Sequence, residues 1–102
     1  MADRIITYHP QMLDDLTWWL EHDKAGGAHV VDLIEQTQAS PNGGHGRPKR
    51  LSGLPGMWSR RITHHHRLYY ALQNGGDLRF FSCRGHDLKQ TVWDAIVDGD
   101  DV

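Results

Sequence analysis

The side chains best suited to chemistry on an anion are concentrated in three short segments of the chain. These are Trp58-Ser59-Arg60-Arg61-Ile62-Thr63, His66-Arg67-Leu68-Tyr69-Tyr70 and Ser82-Cys83-Arg84-Gly85-His86. Alternate residues of a strand share one face, so Arg61 points away from Arg60, and Arg67 lies on the same face as Tyr69. We therefore expect several guanidinium groups and His86 to converge on one side of a sheet. Arginine binds anionic oxygens, and histidine transfers protons near neutral pH.

The charge distribution also points to an anion. The formal net charge of the 102 residues is -2, yet acidic residues are missing from Gln36 to Gly76. This acid-free stretch carries six permanent positive charges, on Arg47, Lys49, Arg50, Arg60, Arg61 and Arg67. Such a block is an electrostatic footprint for an anion. The alternative is a solvated basic face that the acidic N-terminal helix neutralises.

Composition argues against several classes of protein and of site. We expect no membrane span, because no run approaches roughly 18 apolar residues. We expect no secretory leader, because only three residues separate Arg4 from Tyr8-His9-Pro10. The single cysteine, Cys83, cannot form an internal disulfide or a cysteine-rich zinc site, so a cytoplasmic location is expected and the thiol is predicted to be buried. His64, His65 and His66 are adjacent, and adjacent strand residues face opposite ways, so no metal site is predicted.

Apolar periodicity and turn residues predict the elements that hold these side chains. Four strands are expected, at residues 4–8, 57–63, 67–73 and 78–83. Two helices lie between the first two strands, one from Pro10 to about Asp23 and one that follows a break at Gly26-Gly27 and stops at Ser40-Pro41. A loop rich in glycine and proline then covers residues 40–56.

The last predicted element is a short amphipathic helix beyond His86, formed by Leu88, Val92, Trp93 and Ile96, with Asp87 as its N-cap. The order strand, two helices, three strands and short helix predicts an α+β fold. It consists of a small twisted, mainly antiparallel sheet with its helices on one face. All 102 residues are expected to form one domain, because the chain has no room for a second core.

The chemistry-bearing segments belong to a longer series of motifs. The series includes Asp14-Asp15-Leu16 with Trp18-Trp19, Gly44-His45-Gly46-Arg47-Pro48, Leu51-Ser52-Gly53, Trp58-Ser59-Arg60-Arg61-Ile62, His66-Arg67-Leu68 with Tyr70, and Ser82-Cys83-Arg84 with His86. In this order, over roughly residues 5–86, the chain resembles the YoeB/Txe family of bacterial toxin–antitoxin toxins, within the RelE/ParE superfamily. Residues 1–86 would then be the family core and residues 87–102 a C-terminal extension.

The resemblance implies a RelE-like microbial RNase-type fold and the activity of a ribosome-dependent endoribonuclease that cuts mRNA and inhibits translation. In this family a ribose 2′-OH attacks the adjacent phosphate, and the reaction needs no metal or other cofactor. The resemblance also implies a cognate antitoxin as partner, with operator DNA reached only through the antitoxin complex. A homodimer is possible, and no membrane partner is expected.

The resemblance assigns roles to residues position by position. It gives Arg67 the stabilisation of the phosphate, with Arg60 or Arg61 in support, and it makes His86 the general acid. Lys49 stands where the family commonly has a glutamate base. A lysine accepts a proton only in its neutral form, so Lys49 is predicted as a base or as a phosphate clamp. Further contacts with RNA or phosphate are predicted for Arg47, Arg50, His66 and Arg84.

A second departure from the family pattern leaves the activity open. Asp87 occupies the position of a family tyrosine that stacks on the nucleotide, and aspartate cannot stack and repels phosphate. The extension either supports His86 or shades the site. The alternative function is therefore a catalytically weakened homologue that binds its antitoxin and autoregulates its operon. A gyrase-poisoning relative with the same fold fits the motifs less well.

Overall fold

The computed structural model describes residues 4–97, except for the side chain of Asn74. Within this range the chain forms three α-helices, α1 (Pro10–His22), α2 (Lys24–Ala39) and α3 (Gln90–Val97). The same range contains five strands, β1 (Ile6–Tyr8), β2 (Lys49–Arg50), β3 (Met57–Thr63), β4 (His66–Leu72) and β5 (Leu78–Ser82). Residues 1–3 and 98–102 of the predicted domain lie outside the described residues.

The strands of the described range form one sheet in the order β1-β5-β4-β3-β2. β3, β4 and β5 make an antiparallel meander, and β1 runs parallel to β5 with Ile6 opposite Leu78. The predicted α+β class and the mainly antiparallel sheet are confirmed, but the expected count of four strands was one too low. The missed strand, β2, has two residues, Lys49 and Arg50, and is too short to show the alternation by which strands are recognised.

The helices α1 and α2 meet at Asp23, and the predicted break at Gly26-Gly27 was wrong. Asp23 leaves the helical conformation, and its carboxylate accepts a hydrogen bond from the Gly26 N–H at 2.9 Å, which caps the N-terminus of α2. The two glycines lie inside α2, and Gly26 permits close packing. A Cβ at Gly26 would lie 2.3 Å from the Trp19 ring, so the residue serves the contact between the helices.

The two faces of the sheet are covered by different helices. The α1/α2 face carries Leu68, Tyr70 and Phe80, which pack against Met12 and Trp19 of α1 and against residues of α2. This is the larger of the two hydrophobic clusters in the described residues.

The opposite face, called the α3 face below, carries Met57, Tyr69 and Phe81, which pack against Val92 and Ala95 of α3. The expectation that all helices lie on one face is therefore wrong for α3. Its apolar side chains bury residues that the two N-terminal helices cannot reach through the sheet.

The C-terminal helix α3 begins at Gln90, so Asp87 lies two residues before the N-cap position and is not the N-cap that the sequence predicts. The Asp87 carboxylate instead lies 3.3 Å from the His86 ring. Among residues 4–97, no helix has both the length and the apolar character that a membrane span needs.

Candidate active site

The α3 face divides into an apolar part and a cationic part. Met57, Ala71 and Phe81 lie in the apolar part, in the cluster that contains α3. Toward the other end of the same strands, Arg61 of β3 stands directly opposite Arg67 of β4. Residues paired in this way project from the same face, with Cα atoms about 4.5–5.5 Å apart. Arg61 is exposed and Arg67 half-buried, so the cationic part is accessible to solvent.

His86 completes the cationic part, and the structure brings it next to Arg67 as the sequence predicts. The main-chain N–H of Arg67 donates to the Gly85 carbonyl at 3.0 Å, which attaches the segment after β5 to β4. The Nε of Arg67 lies 3.4 Å from Nε2 of His86, and Oδ1 of Asp87 lies 3.3 Å from Nδ1. The His86 side chain is 59% exposed. A solvent-accessible imidazole beside a guanidinium suits proton transfer next to a bound anion.

The main chain around His86 is fixed although its ring is at the surface. The hydroxyl of Tyr69 donates to the His86 carbonyl, and burial raises the pKa of Tyr69, which keeps the donor protonated. The N–H of Gly85 donates to Nδ1 of His66 at 2.9 Å. Gly85 has a φ of +88°, a conformation that favours glycine. These constraints give the imidazole a defined position relative to Arg67.

His66 is placed on the α1/α2 face and not in the cationic part, although the sequence predicts a contact with RNA. Its ring lies 4.8 Å from the Trp19 ring and 5.9 Å from the Trp18 ring, centroid to centroid. Burial lowers the pKa of His66, and nearby positive charges act in the same direction. A neutral His66 can accept the Gly85 hydrogen bond, so its visible role is to hold the main chain beside His86.

Arg60 is also kept away from the cationic part, and its predicted contact with phosphate does not fit its position. Its side chain is fully buried on the α1/α2 face. The guanidinium donates to the His45 carbonyl at 2.6 Å and to the Ser40 carbonyl, and it lies 5.8 Å from the centre of the Tyr70 ring. Arg60 therefore fastens the loop before β2 to the sheet. Of the two adjacent arginines, Arg61 is the one that reaches the cationic part.

Lys49 lies on the α3 face, one strand further out than Arg61. It stands opposite Ser59, which stands opposite Tyr69, and this row is next to the Arg61–Arg67 pair. Neighbouring strands are about 4.8 Å apart, which places the Cα of Lys49 roughly 10 Å from that of Tyr69. The Lys49 side chain is exposed and borders the cationic part.

The other residues for which the sequence predicts contacts with RNA lie outside the cationic part. Arg50 pairs with Trp58, so it projects from the α1/α2 face at the edge of the sheet. Arg47 is exposed in the loop before β2, with a φ of +50°. The guanidinium of Arg84 lies 4.1 Å from the centre of the Trp18 ring, a cation–π contact between the segment that carries His86 and α1.

The Cys83 thiol and the side chains of His64 and His65 take no part in this site. Cys83 is buried as predicted, and burial raises its pKa to about 12, which excludes a reactive thiolate. Among the described residues, no three histidine, cysteine or acidic side chains are grouped as a metal ion would require. The rings of His64 and His65 contact each other in the turn between β3 and β4.

Two residues that support the His86 segment were not found from the sequence. Asp15, buried in α1, accepts hydrogen bonds from the Cys83 N–H and from Nζ of Lys89. Asp15 lies three residues after Met12 and four before Trp19, on the apolar stripe of the helix, and this position is the signal that could have identified a buried acid. Nothing in the sequence around Lys89 marks its role.

The sequence also matches proteins of known class. A family described as the YoeB-like toxin of bacterial type II toxin–antitoxin systems matches residues 8–87. The chain is similar to toxin YoeB of Escherichia coli strain K12, with 42% identity over 74 residues that make up 72% of this chain and 87% of that toxin. The helix α3 lies beyond the residues that the family matches.

The fold is similar to that of solved toxins. The YoeB dimer from Staphylococcus aureus superimposes with a TM-score of 0.73 at 32% identity, covering 84% of this chain and 100% of that one. The heterotetrameric complex of the YoeB toxin and the YefM antitoxin from Staphylococcus aureus gives a TM-score of 0.71 at 32% identity, with the same coverage.

Proposed function

The chain belongs to the YoeB-like toxins of bacterial type II toxin–antitoxin systems, and we propose that it is an endoribonuclease that cleaves mRNA on the ribosome. In the proposed reaction the ribose 2′-oxygen transfers its proton to solvent water and attacks the adjacent phosphorus. The bond from phosphorus to the 5′-oxygen breaks, and that oxygen takes up a proton. The products are a 2′,3′-cyclic phosphate and a 5′-hydroxyl.

The observation that carries the proposal is the contact between Arg67 and His86, 3.4 Å apart on an accessible face with Arg61 opposite Arg67. Two guanidinium groups side by side can bind the non-bridging oxygens of a phosphate and stabilise the charge that develops on them. The imidazole beside them is then close to the leaving oxygen of the same phosphate.

His86 is proposed as the general acid, and its surroundings explain how the proton is delivered. In the unbound arrangement Arg67 donates to Nε2 of His86. A phosphate that takes over the Arg67 donors releases Nε2, which can then carry the proton needed by the 5′-oxygen. The Asp87 carboxylate on Nδ1 favours the ring orientation that turns Nε2 toward Arg67.

Lys49 is proposed to bind phosphate next to the scissile one. It stands where the family commonly has a glutamate, and its exposed, positively charged side chain can bind a phosphate oxygen. Its position in the row beside Arg61 and Arg67 fits a contact with the RNA backbone.

The second candidate function is a catalytically weakened homologue that acts by binding its antitoxin and by autoregulating the operon. Two residues favour it, Lys49 in the place of the family glutamate and the acidic Asp87 beside His86. A growth assay separates the two candidates. Induction without an antitoxin arrests growth if the chain cleaves mRNA, and growth continues if the chain acts by binding alone.

The cleavage itself is tested with ribosomes that hold an end-labelled mRNA. The wild-type chain is expected to cut within the codon in the decoding site and to leave a 2′,3′-cyclic phosphate. His86→Ala is expected to slow cleavage by roughly 10²–10⁴-fold. His29→Ala, at an exposed position of α2, is the matched control and should cleave at the wild-type rate. Equal rates for the two alanine variants would remove His86 from the mechanism.

The partners follow from the family. The Staphylococcus aureus toxin is solved both as a dimer and with its YefM antitoxin, and we propose a cognate antitoxin and a possible homodimer for this chain. Operator DNA would be bound only through the antitoxin complex, and the site of action, on ribosomes, places the protein in the cytoplasm. Light scattering of the chain alone and with its antitoxin measures both assemblies.

A further inference from the structure

One buried carboxylate of α1 gathers hydrogen bonds from both sides of His86. The Asp15 side chain is 2% exposed. Its Oδ2 accepts the main-chain N–H of Cys83 at 3.0 Å, and its Oδ1 accepts Nζ of Lys89 at 2.7 Å. The amide of Gln11 also donates to Oδ1, at 2.9 Å. The carboxylate is therefore well satisfied although it lies away from water.

These hydrogen bonds fix the segment that carries the proposed general acid. Cys83 and Lys89 lie three residues before and three residues after His86, and both are attached to Asp15. Between them, Gly85 is tied to Arg67 through its carbonyl at 3.0 Å. The Asp15–Lys89 ion pair therefore attaches the far end of the segment that carries His86 to α1.

We propose that the Asp15–Lys89 ion pair is a positioning element for His86, and that the chain beyond the family match is thereby part of the catalytic apparatus. This inference rests on the proposed nuclease function. Lys89 is two residues beyond the last matched residue, at the start of α3. The extension would support the site rather than shade it.

The geometry favours a positioning role over a purely stabilising one. The Asp15 side chain is buried and that of Lys89 is 31% exposed. Desolvation opposes the attraction in such a pair, so its net contribution to stability is often small. The ion pair does, however, favour one conformation of residues 83–89, the segment in which His86 is exposed. A displacement of about 1 Å at a catalytic group can lower a rate by about 10²-fold.

The test replaces Lys89 in the full-length chain and measures single-turnover cleavage on ribosomes that hold a defined mRNA. Lys89→Met removes the charge and keeps the length of the side chain, and Lys89→Arg restores the charge. Lys24→Met, at the exposed first residue of α2, is the matched control. Thermal unfolding of each variant establishes that it is folded at the assay temperature.

We expect Lys89→Met to lower the cleavage rate at saturation by roughly 10- to 100-fold while the concentration for half-saturation stays unchanged. Lys89→Arg should recover most of the rate, and Lys24→Met should match the wild type. The double variant His86→Ala/Lys89→Met should be no slower than His86→Ala, because a residue that acts through His86 has no effect once the imidazole is gone.

A modified substrate separates a positioning role from a general loss of structure. Replacing the 5′-oxygen at the cleavage site by sulfur gives a thiolate leaving group, which needs no general acid because a thiol has a pKa near 8.5. On this substrate Lys89→Met should cleave at nearly the wild-type rate. An equal defect on both substrates, or cleavage by Lys89→Met as fast as or faster than the wild type, would refute the inference. If the wild-type chain cleaves neither substrate, the proposed function itself fails.

Discussion

Separate replacement of Arg60 and Arg61 tests whether Arg60 stabilises the fold and Arg61 serves mRNA cleavage. Arg60→Met keeps a long unbranched side chain and removes a guanidinium whose donors reach the carbonyls of Ser40 and His45. A hydrogen bond that involves a charged group contributes about 1.5–3 kcal/mol. Methionine recovers part of the burial and removes the desolvation cost of a buried charge. We expect Arg60→Met to lower the free energy of unfolding by about 2–4 kcal/mol.

The neighbouring substitution, Arg61→Met, is the matched comparison. Arg61 is exposed and stands opposite Arg67, so its replacement should leave the free energy of unfolding unchanged or raise it by up to about 1 kcal/mol. Its loss should instead slow mRNA cleavage by about 10²-fold, because one of the two guanidinium groups of the site is gone. Urea unfolding followed by tryptophan fluorescence measures the stability, and the melting temperature of Arg60→Met should fall by about 10–20 °C. Equal stability of the two variants would refute the division of roles.

Two further outcomes are expected. If Lys49 binds phosphate, Lys49→Met should raise the concentration for half-saturation and leave the saturated rate nearly unchanged. The slope of log affinity against log salt should fall by about 0.7. A pH-dependent loss of the saturated rate would instead make Lys49 the base. His66 has a pKa lowered from 6.5 by burial, so the unfolded chain binds its proton more readily. Its contribution to stability is therefore complete above about pH 6.5 and is lost as the pH falls below that value. His66→Asn, which keeps an acceptor for the Gly85 N–H, should lose less stability than the wild type between about pH 7.5 and 5.5 in urea unfolding; an equal loss would contradict this reasoning.

The sequence could predict that Arg60 and Arg61 point to opposite faces, because strand alternation requires it. It could not predict which face the N-terminal helices cover. Both faces of β3 carry apolar residues, Met57 on one and Ile62 on the other. The structure resolves this through the packing of α1 and α2, which buries Arg60 and leaves Arg61 exposed.

The features that sequence reasoning missed depend on contacts between distant segments. Gly26 reads as a helix breaker, and its place inside α2 is explained by the Trp19 ring that occupies the space of its missing side chain. Asp15 and Lys89 are 74 positions apart, and no sequence motif around either residue predicts their contact. Local pattern cannot identify such pairs, because the packing of α1 against β5 creates them.

The arrangement of charges on the α3 face favours an anion site over a solvated basic face that the N-terminal helix neutralises. Arg61 and Arg67 stand directly opposite each other, and like charges in that position destabilise a sheet by up to about 1 kcal/mol. Among the described residues, neither arginine forms a salt bridge with an acid of α1, and the buried acid nearest the His86 segment, Asp15, is already paired with Lys89. The N-terminal helix therefore does not neutralise this face. The repulsion is relieved when an anion lies between the two guanidinium groups, and a phosphate in that position is next to His86.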